Sequence, residues 1–172
     1  DVAFHIDFIS GTAPGSPTVP TGFTLVSSVT DAVITRTTIS KKICTGPESG
    51  NIVGMTGSVV SNKYLLILRP SAVPVAITDS TWNAQITNAD PAAQTVLAAS
   101  GPLPSVVIGV ATNSGAAPSF STASPAFDAD VAIGTRLRVG YKVYNASPAN
   151  HTIDMADLGS NNGLQSGYVS AS

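Results

Sequence analysis

The alternation of apolar and polar residues is strongest at the start of the chain. In Val2-Ala3-Phe4-His5-Ile6-Asp7-Phe8-Ile9, the residues Val2, Phe4, Ile6 and Phe8 share one face, while Ala3, His5 and Asp7 share the other. A period of two carried by aromatic and β-branched residues predicts a strand. Residues 10–22 then place Pro14, Pro17 and Pro20 among Gly, Ser and Thr with no periodicity, which predicts an extended linker. The pattern thus sets a detached amphipathic strand and its Pro/Gly linker, residues 1–22, ahead of a β domain over residues 23–172.

Within that domain residues 23–30 and 32–39 read as strands around Thr30-Asp31, and Lys41 to Thr45 continues the second or starts a third. Gly46-Pro47-Glu48-Ser49-Gly50-Asn51 is a turn cluster. Val59-Val60 comes next, and Tyr64-Leu65-Leu66-Ile67-Leu68 is continuously apolar, as expected of a central strand covered on both faces. Val75 to Thr78, the Trp82/Ala84/Ile86 alternation and residues 103–111 are further strands. Leu137, Val139, Tyr141 and Val143 alternate with Arg136, Arg138, Gly140 and Lys142 in another, and Asn113 to Ala126 reads as a loop. Asp90 to Ala99 predicts one short helix, with Asp90 as N-cap, Pro91 in the first turn and Gly101 as the stop. Asn162-Gly163 predicts a turn between two short C-terminal strands. Roughly eight to ten strands without a long repeat give an all-β fold. It is expected to be a β-sandwich or jelly roll with one short helix and a detached first strand.

Composition strengthens the β assignment. Charged residues are 10% of the chain, with one glutamate, Glu48, and four lysines, against roughly 25% charged residues in soluble domains. Glu and Lys normally fill exposed helix positions, so their scarcity disfavours helix. A net charge of −2 gives little repulsion between copies, which suits a subunit that packs into an assembly. Cys44, the single cysteine, has no internal disulfide partner and is expected as a strand thiol. Every apolar run is broken well short of the ~18 residues of a membrane helix, so no membrane insertion is expected. The chain opens on Asp rather than Met, which suits a secreted or cell-surface protein whose signal peptide has been removed. The basic residues are too few and scattered for a nucleic-acid surface.

The templates for catalysis lack residues. His5 lies beside Asp7, and His151 precedes Asp154 and Asp157, but no Gly-x-Ser-x-Gly elbow marks a nucleophile. One glutamate leaves little for a glycosidase carboxylate pair, and no glycine loop leads into a helix to cradle phosphate. No catalytic residue and no cofactor is assigned, and an enzyme is not expected. Asp128 and Asp130 put two carboxylates on one side of an extended segment, a weak candidate for calcium set against the alternative of solvated turn residues. Asn145-Ala146-Ser147 and Asn150-His151-Thr152 match the N-glycosylation sequon; Pro148 after the first makes Asn150 the better candidate. Trp82 alternates with Ala84 and Ile86, which favours core packing over a sugar-stacking role.

The remaining signal is the candidate assembly strand. Its face of Val2, Phe4, Ile6 and Phe8 must be buried, either in its own sheet or at the edge of a neighbour's. Four such side chains contribute roughly 6–12 kcal/mol before entropy costs, at about 1.5–3 kcal/mol each. In architecture and in this first strand the layout resembles donor-strand pilins of bacterial or archaeal surface filaments. The resemblance implies a structural, self-assembling subunit whose partners are copies of itself; glycans enter as a second class of partner through the binding-module alternative. A single-jelly-roll viral coat protein and a carbohydrate- or receptor-binding β-sandwich module are the alternatives.

Overall fold

The computed structural model describes residues 1–11, 17–30, 35–46, 52, 60–70, 76–96, 103–159 and 161–171. Among the described residues every regular element is a strand. Two compact units follow one another along the chain, Asp1–Ser71 and Ala72–Ser172.

The first unit is a four-stranded antiparallel sheet of β1 (Val2–Ser10), β2 (Thr24–Thr30), β3 (Thr35–Ile43) and β4 (Val60–Leu68), in the order β2-β3-β1-β4. The first strand is therefore not detached within the chain. It pairs along its whole length with β3, from Val2↔Ile43 to Ser10↔Thr35, and with β4, from Val2↔Leu68 to Ser10↔Val60. The expected roles of β1 and β4 are exchanged. The continuous apolar run of β4 is an edge, with Leu65 and Ile67 exposed. The alternating β1 is the strand buried on both faces. An apolar run records hydrophobicity but not position in the sheet, so β4 read as central. Lys41 to Ile43 belongs to β3, a single strand rather than two.

The second unit holds two antiparallel sheets. One runs β10 (Ala129–Ile133), β11 (Leu137–Tyr144), β8 (Ser105–Asn113), β13 (Asn162–Ala171), β5 (Ile77–Asp79), with β6 (Asn83–Thr87) also on β13. The other runs β7 (Gln94–Val96), β12 (His151–Met155), β9 (Phe120–Ser124). Val96, Ile153 and Met155 from the small sheet form one buried cluster with Val107, Ala111, Tyr144 and Leu164 from the large one. Two sheets sharing an apolar core make this unit a β-sandwich.

A pair of glycines lets the layers approach. Gly109 of β8 lies across from Gly140 of β11, and the Phe127 ring occupies the space where side chains would stand. A Cβ on Gly140 would come 2.5 Å from that ring, and one on Gly109 2.9 Å from it.

Three expectations need correction here. The helix over Asp90–Ala99 is absent from the described residues, and Gln94–Val96 is strand β7, with 97–99 outside them. Local capping signals lost to tertiary contacts. The Gln94 amide donates to the Leu164 carbonyl (2.9 Å) and accepts from the Ser166 hydroxyl (2.6 Å), which holds the segment extended on β13. Asn162-Gly163 is not a turn but the start of ten-residue β13. The Asn162 amide donates to Ala89 O and to Asp157 Oδ1 and accepts from Asn113 Nδ2, so its side chain serves a polar network between loops. Phe120–Ser124, expected within a loop, is strand β9. Its Ser- and Ala-rich sequence carries little strand propensity, and pairing with β12 supplies the structure.

Candidate assembly site

The site is built around β1. On one face Val2, Phe4, Ile6 and Phe8 are each at most 2% exposed. Ladder register places Ile39 and Thr37 of β3, and Leu66 and Tyr64 of β4, beside them. All four side chains named from the alternation are thus brought together and buried.

The opposite face of β1 is buried as well, although half of it is polar. Ala3, His5, Asp7 and Ile9 lie there, with His5 4% and Asp7 0% exposed. Asp7 stands across from Thr38 on one side and Lys63 on the other. The Phe23 ring meets His5 edge-on at 6.2 Å, and Gly22, at φ +81°, lies over the Lys42 side chain. Phe23 and Gly22 are the last residues before β2, so this end of the connector lies against the His5 side of β1. Burial, and then the positive charge of Lys63, hold the His5 imidazole below its ordinary pKa. The sequence pattern marked the apolar face but gave no sign that the polar one would be buried too, with Phe23 against His5.

The connector has length to spare. β1 and β2 are both antiparallel to β3, so they run in the same direction. Register sets Thr24 level with Lys41 and Phe4. The return from Ser10 to that level is about 20 Å at ~3.3 Å per residue. Residues 11–23 can span up to ~45 Å.

At its start β1 is fastened by a backbone bond, Cys44 N to Asp1 O (2.9 Å), and by the Arg69 guanidinium, whose Nη2 reaches Asp1 Oδ2 at 2.8 Å. Cys44 itself is half-buried and forms no disulfide within the chain. β3 and β4 do not pair with each other; β1 lies between them and pairs with both. Removing β1 therefore leaves a slot flanked by β3 and β4.

The remaining candidate residues do not join this site. Asp128 and Asp130 are committed to cations of β11. Lys142 Nζ donates to Asp128 Oδ1 at 2.5 Å and Val143 N to Oδ2 at 2.8 Å, while Arg138 grips Asp130 through Nε and Nη2 at 2.5 and 2.9 Å. The bond from Lys142 keeps the Asp128 carboxyl below the usual range. Among the described residues no group of three metal-ligating side chains forms. Asn145 and Asn150 are both exposed, in the connection between β11 and β12. Trp82 lies against Gly167 of β13, where a Cβ would come 2.5 Å from its ring.

His151 is fully buried, stacked on Phe127 (5.1 Å between centroids) and 3.3 Å from the Tyr144 hydroxyl through Nδ1. Burial lowers its pKa to about 4, with Lys142 acting in the same direction. It is a core imidazole, neutral at pH 7, and its neighbours are aromatic rather than nucleophilic. No protein-family model matches the chain, and no curated protein or solved structure matches it.

Proposed function

We propose that this protein is a structural, self-assembling subunit of an extracellular surface filament, and that β1 of one copy fills the slot between β3 and β4 of the next. The observation that carries the reading is the placement of β1: the first strand of the chain is an inner strand of its sheet and bridges two strands that do not otherwise meet. Such a strand can be supplied in cis or in trans with the same ladder, the relation that underlies strand addition and domain swapping. The connector supports it, since its slack beyond the ~20 Å return lets β1 leave its own slot while Gly22 and Phe23 stay over it. The low charge of the chain supports close packing of copies.

Deleting residues 1–10 tests the proposal. The truncated chain is expected to form no fibres by electron microscopy, and a peptide of residues 1–10 is expected to restore its thermal stability. Fibres formed by the truncated chain would end the proposal.

A further inference from the structure

The four-stranded sheet of the first unit has two edges, which share exposed apolar side chains and run in opposite directions. β2 and β4 have no strand on their outer sides among the described residues. Both edges carry exposed apolar side chains: Leu25 on β2 is 41% exposed, and Leu65 and Ile67 on β4 are 39% and 52% exposed. Register joins them. Leu25 pairs with Ser40, Ser40 with His5, and His5 with Leu65, so one cross-strand row crosses the whole sheet and ends in an exposed leucine at each edge. Directly paired residues in adjacent antiparallel strands point to the same face, so both leucines lie on the face that holds His5.

Strand direction matches too. Every pairing in β2-β3-β1-β4 is antiparallel, and with four strands the two edges run in opposite directions. A second copy carried along by simple repetition therefore meets β4 with its β2 antiparallel, as required to continue the sheet. In the same register Leu65 of one copy stands across from Leu25 of the next. Ile67, level with Ala3 and Lys42, then comes beside Phe23, the residue before β2. An exposed edge with apolar side chains and without proline is a template for another strand; the register shift of β2 falls between Leu25 and Ser27, beyond the Leu25 row.

We infer that the β4 edge of one copy docks on the β2 edge of another, continuing the sheet from subunit to subunit. The interface is heterologous, so it does not close on a dimer, and the twist of about 20–25° per strand turns the repeat into a screw. This contact is separate from the exchange of β1 and stands whether β1 closes its own sheet or a neighbour's.

The test uses two full-length variants that each spoil one edge: Leu25→Lys, and Leu65→Lys with Ile67→Lys. Hydrogen exchange of the β1 amides reports that the sheet is intact in each. Both are carried in a chain with Ser10→Cys, Thr35→Cys and Cys44→Ser, whose disulfide ties β1 to its own β3 and removes β1 exchange. Light scattering coupled to gel filtration is then expected to show concentration-dependent assemblies for this locked parent and monomers for each edge variant alone. Mixing the variants one to one is expected to give dimers and nothing larger, because one sound β4 edge and one sound β2 edge remain between them. Leu→Thr and Ile→Thr versions at the same positions repeat the test should lysine unfold the sheet. A Leu25→Lys variant that dimerises alone would mean that β4 pairs with β4, and would overturn the inference. Edge variants that assemble like the locked parent, or a locked parent that is monomeric throughout, would overturn it as well. The deletion of residues 1–10 is a separate experiment, so failure here leaves the β1 exchange to be judged on its own.

Discussion

Phe4 of β1 lies directly across from Leu66 of β4, and both are buried, whereas Leu65 and Ile67 on either side of Leu66 are exposed. The pair marks the apolar side of the slot. It also shows why β4 can lie at an edge: only alternate residues of its apolar run are taken up by β1.

Phe4→Ala is expected to destabilise the first unit by about 3–5 kcal/mol, the cost of truncating a fully buried aromatic. Leu65→Thr, a change at an exposed position, is expected to stay within about 0.5 kcal/mol. Denaturant unfolding of both variants, followed by circular dichroism, measures the contrast. Equal losses would show that the two faces of β4 are not distinguished as described.

The glycine pair under Phe127 gives a second contrast. Gly140→Ala places a methyl group 2.5 Å from the ring and is expected to cost about 1–3 kcal/mol, in the range of overpacked cores. Gly46→Ala has nothing within 4 Å of the new carbon and is expected to be near neutral. Thermal unfolding of the two variants compares them.

Several of these features were legible in the chain itself. The alternation from Val2 to Phe8 gave both the strand and the face it buries. It did not give the strand's place in the sheet, because period two is the same for an inner strand and an edge. Here the polar residues His5 and Asp7 are buried as well, His5 against Phe23, which no local pattern encodes. The helix expected at Asp90 failed for a related reason: cap and proline signals are local, whereas the Gln94 bonds to Leu164 and Ser166 join residues seventy or more apart. Asn162-Gly163 likewise looked like a hairpin turn because its side-chain partners, Asp157 and Asn113, lie on other loops or strands. The two edge leucines carry no signal at all in sequence. Only register puts Leu25 and Leu65 in one row.

The buried imidazole sets a pH dependence. The pKa of His151 is lowered from 6.5 to about 4, so the folded state holds it neutral while the unfolded chain takes up a proton below pH 6.5. Stability is therefore fully present above pH 6.5 and falls as pH drops towards 4, by about 3 kcal/mol at ~1.4 kcal/mol for each tenfold change in proton affinity. The pKa of His5 is also lowered, which adds a loss of the same sign below pH 6.5. Thermal unfolding between pH 7 and 4 is expected to show a falling midpoint, with a shallower fall in His151→Gln. An unchanged slope in that variant would remove His151 as the cause.

The carboxylates of the β10 region are expected to behave as ion-pair partners. Asp130→Asn breaks a partly exposed bidentate contact with Arg138 and is expected to cost no more than about 1 kcal/mol. Calcium added to the wild type is expected to leave the unfolding midpoint unchanged, since a bound ion would raise it by mass action. A rise that vanishes in Asp128→Asn would instead assign a metal site to these residues.

The exchange of β1 is tested most directly by a disulfide between paired positions. Ala3 and Ile67 are opposite one another in the β1–β4 ladder, a spacing of about 4.5–5.5 Å between Cα atoms that a disulfide can bridge. In a chain carrying Ala3→Cys, Ile67→Cys and Cys44→Ser, assembled and then oxidised, strand exchange is expected to give a ladder of covalently linked subunits on a denaturing gel. A single band of monomer with its disulfide closed within one chain would contradict it.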